Sequence, residues 1–134
     1  MTAGAVLDAS ALLTYLLGEP GSERLTEALA ASAVISAVNW AEVLSKMSDF
    51  GADAGEVSAS LSRMGITAAA LRIAPFDEQL AGQASRLRPV TRSLGLSLGD
   101  RACLALGHSL GLPVLTADRS WQSLRIGVKI RVIR

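Results

Sequence analysis

Four carboxylates stand close to the ends of short apolar runs or one turn beyond them: Asp8 after Ala5-Val6-Leu7, Glu42 after Ala33-Val34-Ile35, Asp100 ahead of a long apolar stretch, and Asp118 after Val114-Leu115-Thr116. Few other residue types compete with them for chemistry. The 134-residue chain has one histidine, His108, and one cysteine, Cys103. A His-based zinc site and an internal disulfide are therefore ruled out, and Cys–His or Ser–His–Asp hydrolysis would rest on His108 as its only base. Carboxylates crowded into one cleft repel and raise one another's pKa values. A hard divalent cation, Mg²⁺ or Mn²⁺, removes that cost: it takes oxygen ligands, keeps several waters and is held by a few carboxylates together with substrate phosphate. Such an ion makes bound water acidic, polarises a phosphoryl oxygen and stabilises a leaving oxygen.

The elements that must position these acids follow from periodicity and breakers. Ala5-Val6-Leu7 reads as a first strand, followed by a helix to about Leu17. Gly18-Glu19-Pro20-Gly21 breaks the chain, and Ser22 is placed to cap a second helix to about Ala31. Ala33-Val34-Ile35 is a second buried strand. Trp40, Val43, Leu44 and Met47 then fall at i, i+3, i+4 and i+7, the apolar face of a helix. A further helix is expected over about 54–65, and Leu71-Arg72-Ile73 is a strand stopped by Pro75. Asp77 is placed to cap a helix through Leu80, Ala84 and Leu87, with Pro89 late in it. Another helix is expected from about Asp100 to Leu110, closed by Gly111 and Pro113. Val114-Leu115-Thr116 is a fourth strand. Ile126, Val128, Ile130 and Val132 alternate as a half-exposed fifth.

Short strands alternating with helices argue for a three-layer α/β/α sandwich around a short, mostly parallel sheet, in a single domain over 1–134. In such sheets ligands bind beyond the carboxyl ends of the strands. Asp8 and Asp118 fall on that edge, with Asp100 and Glu42 near it. Each has an ordinary reading as well. Asp8, Asp100 and Asp118 are all in position to cap helices. Glu42 shares a polar helix face with Asn39, Lys46 and Asp49 and makes a favourable i,i+4 pair with Lys46. Only the combination points to a site.

Charge is unevenly distributed. Residues 1–62 carry eight acids and two bases, whereas residues 63–134 carry four acids and eleven bases. Eleven of the thirteen bases are arginine, the better bidentate phosphate ligand. An acidic pocket beside an Arg-rich half suits a phosphodiester substrate. Charged residues interrupt every apolar run before the ~18 residues of a membrane span. The opening Met-Thr-Ala-Gly-Ala-Val has no basic lead and does not read as a secretory signal, so a cytoplasmic location is expected.

Val6-Leu7-Asp8-Ala9-Ser10-Ala11-Leu12-Leu13, Asn39-Trp40-Ala41-Glu42-Val43, Leu98-Gly99-Asp100-Arg101-Ala102 and Leu115-Thr116-Ala117-Asp118, in that order and spacing, resemble the PIN domain. Within it, the chain is similar to the VapC-type toxins of bacterial toxin–antitoxin pairs. The resemblance spans nearly the whole sequence. It implies a Mg²⁺- or Mn²⁺-dependent endoribonuclease whose acidic quartet falls on Asp8, Glu42, Asp100 and Asp118. Asp8 and Asp100 would be the principal metal ligands, with Glu42 and Asp118 completing the pocket directly or through water. Ser10 and Thr116 match small hydroxyl positions beside the first and last acids, suited to orienting a carboxylate or a metal-bound water. Water activated by the metal would attack phosphorus with the 3′ oxygen leaving, giving 5′ phosphate and 3′ hydroxyl ends. The resemblance further implies a VapB-type antitoxin, a homodimer, an RNA substrate and no membrane partner.

Arg101 and Arg119 adjoin two of the acids and are candidate phosphate contacts, each equally readable as an ordinary surface charge or ion pair. Leu12, Leu13, Leu16 and Leu17 are read as core, or else as the wall of a groove for the antitoxin. Trp40 and Cys103 are expected in the core and His108 in a structural or exposed position; Trp121 divides between core and base stacking. A phosphoacceptor receiver lacks its neighbouring acids and suitably placed lysine here, and a haloacid-type phosphatase lacks its Asp-x-Asp. The alternative of a different class is a catalytically idle PIN module that only binds RNA or protein.

Overall fold

The computed structural model describes residues 3–134. Strand β1 (Ala5–Leu7) leads into α1 (Ala9–Leu17), and α2 (Ser22–Ala30) returns to β2 (Ala33–Ser36). Helices α3 (Ala37–Asp49) and α4 (Ala54–Arg63) precede β3 (Leu71–Ala74). Helices α5 (Glu78–Arg86), α6 (Arg88–Thr91) and α7 (Leu98–Leu110) follow, and then β4 (Val114–Thr116) and β5 (Ile130–Val132). All five strands are parallel, in the order β3-β2-β1-β4-β5. Leu7 is in register with Ile35 on one side and Leu115 on the other, so β1 is the central strand.

Alternation along the strands divides the core between two faces. Ala5, Leu7, Ile35 and Leu115 face Leu12, Leu25, Leu29, Val43, Val57 and Leu61 from α1–α4. Val6, Val34 and Val114 face Cys103, Leu104 and Leu106 of α7, with Leu80 and Leu87 packed alongside. The expected three-layer α/β/α sandwich is therefore formed, and its sheet is wholly parallel. No helix among the described residues is long and apolar enough to cross a membrane.

Four boundaries differ from the sequence reading. Helix α2 has Gly21 rather than Ser22 at its cap, with no side-chain cap bond, and Ser22 is its first residue. Helix α7 starts at Leu98, capped by Ser97, which places Asp100 in the first turn rather than at the cap. Helix α5 stops at Arg86, and Pro89 sits in the first turn of the separate α6, where a missing N–H costs nothing. The alternation from Ile126 to Val132 gives a strand only over 130–132. Its partner β4 is just three residues long, and Gly127 takes φ +78° beforehand. Ile126 and Val128 instead pack their side chains against the α7 face of the core.

Candidate metal-binding active site

Asp8 ends β1 and caps α1, and it is 5% exposed. Its Oδ1 accepts from the Ala11 N–H at 2.8 Å and the Ser10 hydroxyl at 2.7 Å, and its Oδ2 accepts from Thr116 Oγ1 at 2.5 Å. Ser10 Oγ in turn accepts the Ala117 N–H at 2.9 Å, and Thr116 Oγ1 accepts the Asp118 N–H at 3.0 Å. Two hydroxyls thus tie the end of β1 to the chain just past β4. Burial pushes the Asp8 carboxyl up from 3.8 to about 6; the hydrogen bonds from Thr116, Ser10 and Ala11 pull it down, and the charge of Asp100 adds to the rise.

Asp100 sits three residues into α7. Its Oδ2 accepts the Ser97 N–H at 3.0 Å while Ser97 Oγ accepts the Asp100 N–H at 3.2 Å, a reciprocal box that fixes the turn. Glu42 lies on the exposed side of α3 but is not free: Asn39 Nδ2 donates to its Oε1 at 2.8 Å. Its carboxylate rests against the first turn of α7, where a Cβ added to Gly99 would stand 2.5–2.6 Å from the carboxylate atoms. Cys103 lies fully buried one turn further along α7. Burial pushes its thiol up, and the negative charges of Asp8, Asp100 and Glu42 push it further. Asp118 is exposed on the far side of Thr116, its Oδ1 accepting from the Ser120 N–H and hydroxyl.

The donor set consists of carboxylates and hydroxyls, hard oxygen chemistry that fits Mg²⁺ or Mn²⁺. Among the described residues, no three His, Cys, Asp or Glu side chains stand close enough together to enclose an ion.

Arg101 and Arg119 part company. Arg101 is 7% exposed, and its Nη1 donates to the Ala84 carbonyl of α5 at 3.0 Å, so this candidate phosphate contact is a packing residue between α5 and α7. Arg119 is exposed beside Asp118, its Nε donating to the Arg134 carbonyl at 2.9 Å. Trp121 is 1% exposed within the core and is not available to stack on a base. Trp40 packs partly buried against the α1–α4 face, and His108 is exposed. Leu12 is core, Leu13 and Leu16 pack against it, and Leu17 is partly open to solvent. A cavity of about 590 Å³ between α2 and the sheet, lined by Glu23, Arg24, Glu27 and Arg131 among others, touches none of the four acids. Two residues escaped the sequence reading. The spacing puts Asn39 on a polar helix face, and no local pattern gives Gly99 a role, although each is one turn or less from an acid.

A wholly parallel α/β/α sandwich with Asp8 and Asp118 just past the carboxyl ends of two adjacent strands defines the class of fold. The PIN domain model matches residues 5–126, and the chain belongs to the PIN domain family. Its fold is similar to that of a toxin–antitoxin complex from Klebsiella pneumoniae, at TM-score 0.73 and 19% identity over 98% of both chains. It is similar also to DNA-bound VapBC from Salmonella typhimurium, at 0.71 and 18% identity over 99% of this chain and 100% of that one. A third likeness is to VapC20 of Mycobacterium tuberculosis, a sarcin–ricin loop cleaving toxin, at 0.70 and 15% identity over 94% and 99%. No curated protein matches the chain.

Proposed function

We propose that this protein is a VapC-type toxin, an endoribonuclease that hydrolyses RNA phosphodiester bonds with Mg²⁺ or Mn²⁺. The observation that carries the reading is geometric: Thr116 ties the buried Asp8 carboxylate to the backbone of Asp118, and the Glu42 carboxylate lies against Gly99, next to Asp100. Membership of the PIN family and the likeness to toxin–antitoxin structures support it.

Asp8 and Asp100 would hold the metal, with Glu42 and Asp118 completing the pocket directly or through water. When bound, the ion supplies a Lewis acid for the phosphoryl group and lowers the pKa of water. The chain's own groups do the rest. Ser10 and Thr116 fix the Asp8 carboxylate, so its lone pairs are aimed before substrate arrives. Arg119 adds positive charge beside Asp118, placed to meet a neighbouring phosphate. Single-stranded or looped RNA suits an open edge of this kind, since unstacked nucleotides reach it.

A VapB-type antitoxin is the proposed partner. A groove between α1, α3 and α4, lined by Leu16, Met47, Val57 and Met64 with Glu56 and Arg63 among them, is the proposed seat for its C-terminal segment. Leu17, Phe50 and Met64, at or just beyond the ends of those three helices, are exposed apolar side chains.

The test is cleavage of labelled total RNA with Mn²⁺, with EDTA, and by the Asp8→Asn and Asp100→Asn variants. Metal-dependent cutting that both variants lose, leaving 5′ phosphate and 3′ hydroxyl ends, is the expected result. A folded protein that neither cuts RNA nor binds Mn²⁺ would be the idle binding module instead.

A further inference from the structure

Asn39 is 1% exposed, and its amide makes two bonds of the same kind. Nδ2 donates to Glu42 Oε1 at 2.8 Å and to the Gly99 carbonyl at 2.9 Å. Both partners are acceptors, so the amide orientation is fixed: turned over, its oxygen would face a carboxylate and a carbonyl. The Gly99 carbonyl belongs to the peptide that leads into Asp100. One side-chain nitrogen therefore holds a carboxylate of α3 and the backbone that carries a carboxylate of α7. Its own Oδ1 is buried without a hydrogen-bond partner, a cost that an apolar residue filling the same space would not incur. Packing alone does not explain an asparagine here.

Gly99 works from the other side. Any side chain at this position would meet the Glu42 carboxylate at 2.5–2.6 Å, so the bare backbone lets that carboxylate lie against α7. The acceptor that Asn39 holds and the surface that Gly99 leaves open define where Glu42 can stand.

We propose that Asn39, with Gly99 as its steric counterpart, is a positioning residue that sets the placement of Glu42 against Asp100 and thereby the affinity of the acidic pocket for a divalent cation. This inference rests on the metal-dependent reading above. Asn39 acts through Glu42 and touches neither substrate nor the reacting atoms.

Calorimetric titration of the full chain with Mn²⁺ tests it, using the unmodified protein, Asp8→Asn, Asn39→Ala, Gly99→Ala, Glu42→Gln and the Asn39→Ala/Glu42→Gln pair. Asn39→Ala is expected to weaken Mn²⁺ binding about tenfold, the usual effect of removing a group that orients a ligand. Gly99→Ala should weaken it too while melting near the unmodified temperature in EDTA, because the clash is with the mobile end of a glutamate; it keeps the test open if Asn39→Ala folds poorly. In the Glu42→Gln background, Asn39→Ala should add little further loss. Equal losses in both backgrounds, or Mn²⁺ affinity unchanged in both Asn39→Ala and Gly99→Ala, would overturn the inference. If Mn²⁺ binds the unmodified chain and Asp8→Asn abolishes it while Asn39→Ala does not weaken it, the metal reading stands and only the role of Asn39 falls. If the unmodified chain binds no Mn²⁺, both fall.

Discussion

Thr116 donates its hydroxyl to Asp8 Oδ2 at 2.5 Å, joining residues 108 positions apart in sequence. Because β1 and β4 are neighbours, this bond spans two adjacent strand ends and takes up the carboxylate oxygen that Ser10 and Ala11 do not. Thr116→Val keeps the shape and removes the donor. The Asp8 carboxyl should then titrate above its present value of about 6, since a bond that favours the charged form is gone. Mn²⁺ affinity at pH 7 should fall by about tenfold or more. Carboxylate-resolved NMR titration and calorimetry check the two effects.

The same carboxylate makes the metal-free protein lose stability as pH rises from about 4 towards neutral. Its folded pKa of about 6 lies above the ordinary 3.8, so the folded chain holds the proton more tightly than the unfolded chain does. That contribution to stability is fully present below about pH 4 and is lost as pH rises through about 6. The span corresponds to roughly 3 kcal/mol for a group so deeply buried. Thermal melts in EDTA should therefore lose temperature between pH 4 and 7 through this residue. Asp8→Asn should flatten the loss and melt above the unmodified protein at pH 7.5. Saturating Mn²⁺ should stabilise the unmodified protein at that pH and leave Asp8→Asn unmoved.

How far the sequence carried these features depended on their range. The strands at 5–7, 33–36 and 114–116 are short buried runs between breakers, and their continuous apolar character located them. The cap at Asp8 was visible in the same way, as a local pattern. Asn39 was not, because its second partner, Gly99, lies 60 residues away on another helix. The i,i+3 spacing from Asn39 to Glu42 was its one local signal, and it read as a solvated face. The burial of Arg101 was equally hidden: its carbonyl partner belongs to α5, and a charged residue beside an acid looks like a phosphate ligand until the helices are packed.

Gly21 tests the seam between α2 and the end of the chain. It takes φ +100°, and a Cβ there would stand 2.6 Å from the Ile133 carbonyl oxygen. Backbone, not a movable side chain, blocks the space. Gly21→Ala should therefore cost roughly 2 kcal/mol or more, from a strained conformation and a clash together. Urea denaturation should show a lower midpoint at unchanged slope.

The two arginines beside acids should separate cleanly by what they lose. Arg101→Ala removes a buried stem and the donor to Ala84, so it should destabilise by about 2–4 kcal/mol, the range for truncating a large buried side chain. Its guanidinium is turned into the α5–α7 interface, so the salt dependence of RNA binding by the folded variant should be unchanged. Arg119→Ala sits on the surface and gives up one bond to the Arg134 carbonyl, so its melting temperature should move little. If Arg119 meets phosphate, its loss should weaken binding to single-stranded RNA of any sequence and reduce the slope of log K against log salt by about 0.7. Denaturation midpoints and salt-series binding on inactive Asp100→Asn protein give both readouts without cleavage interfering. A shallower salt slope for Arg101→Ala would contradict its placement as a packing residue, and an unchanged slope for Arg119→Ala would take it out of the RNA path.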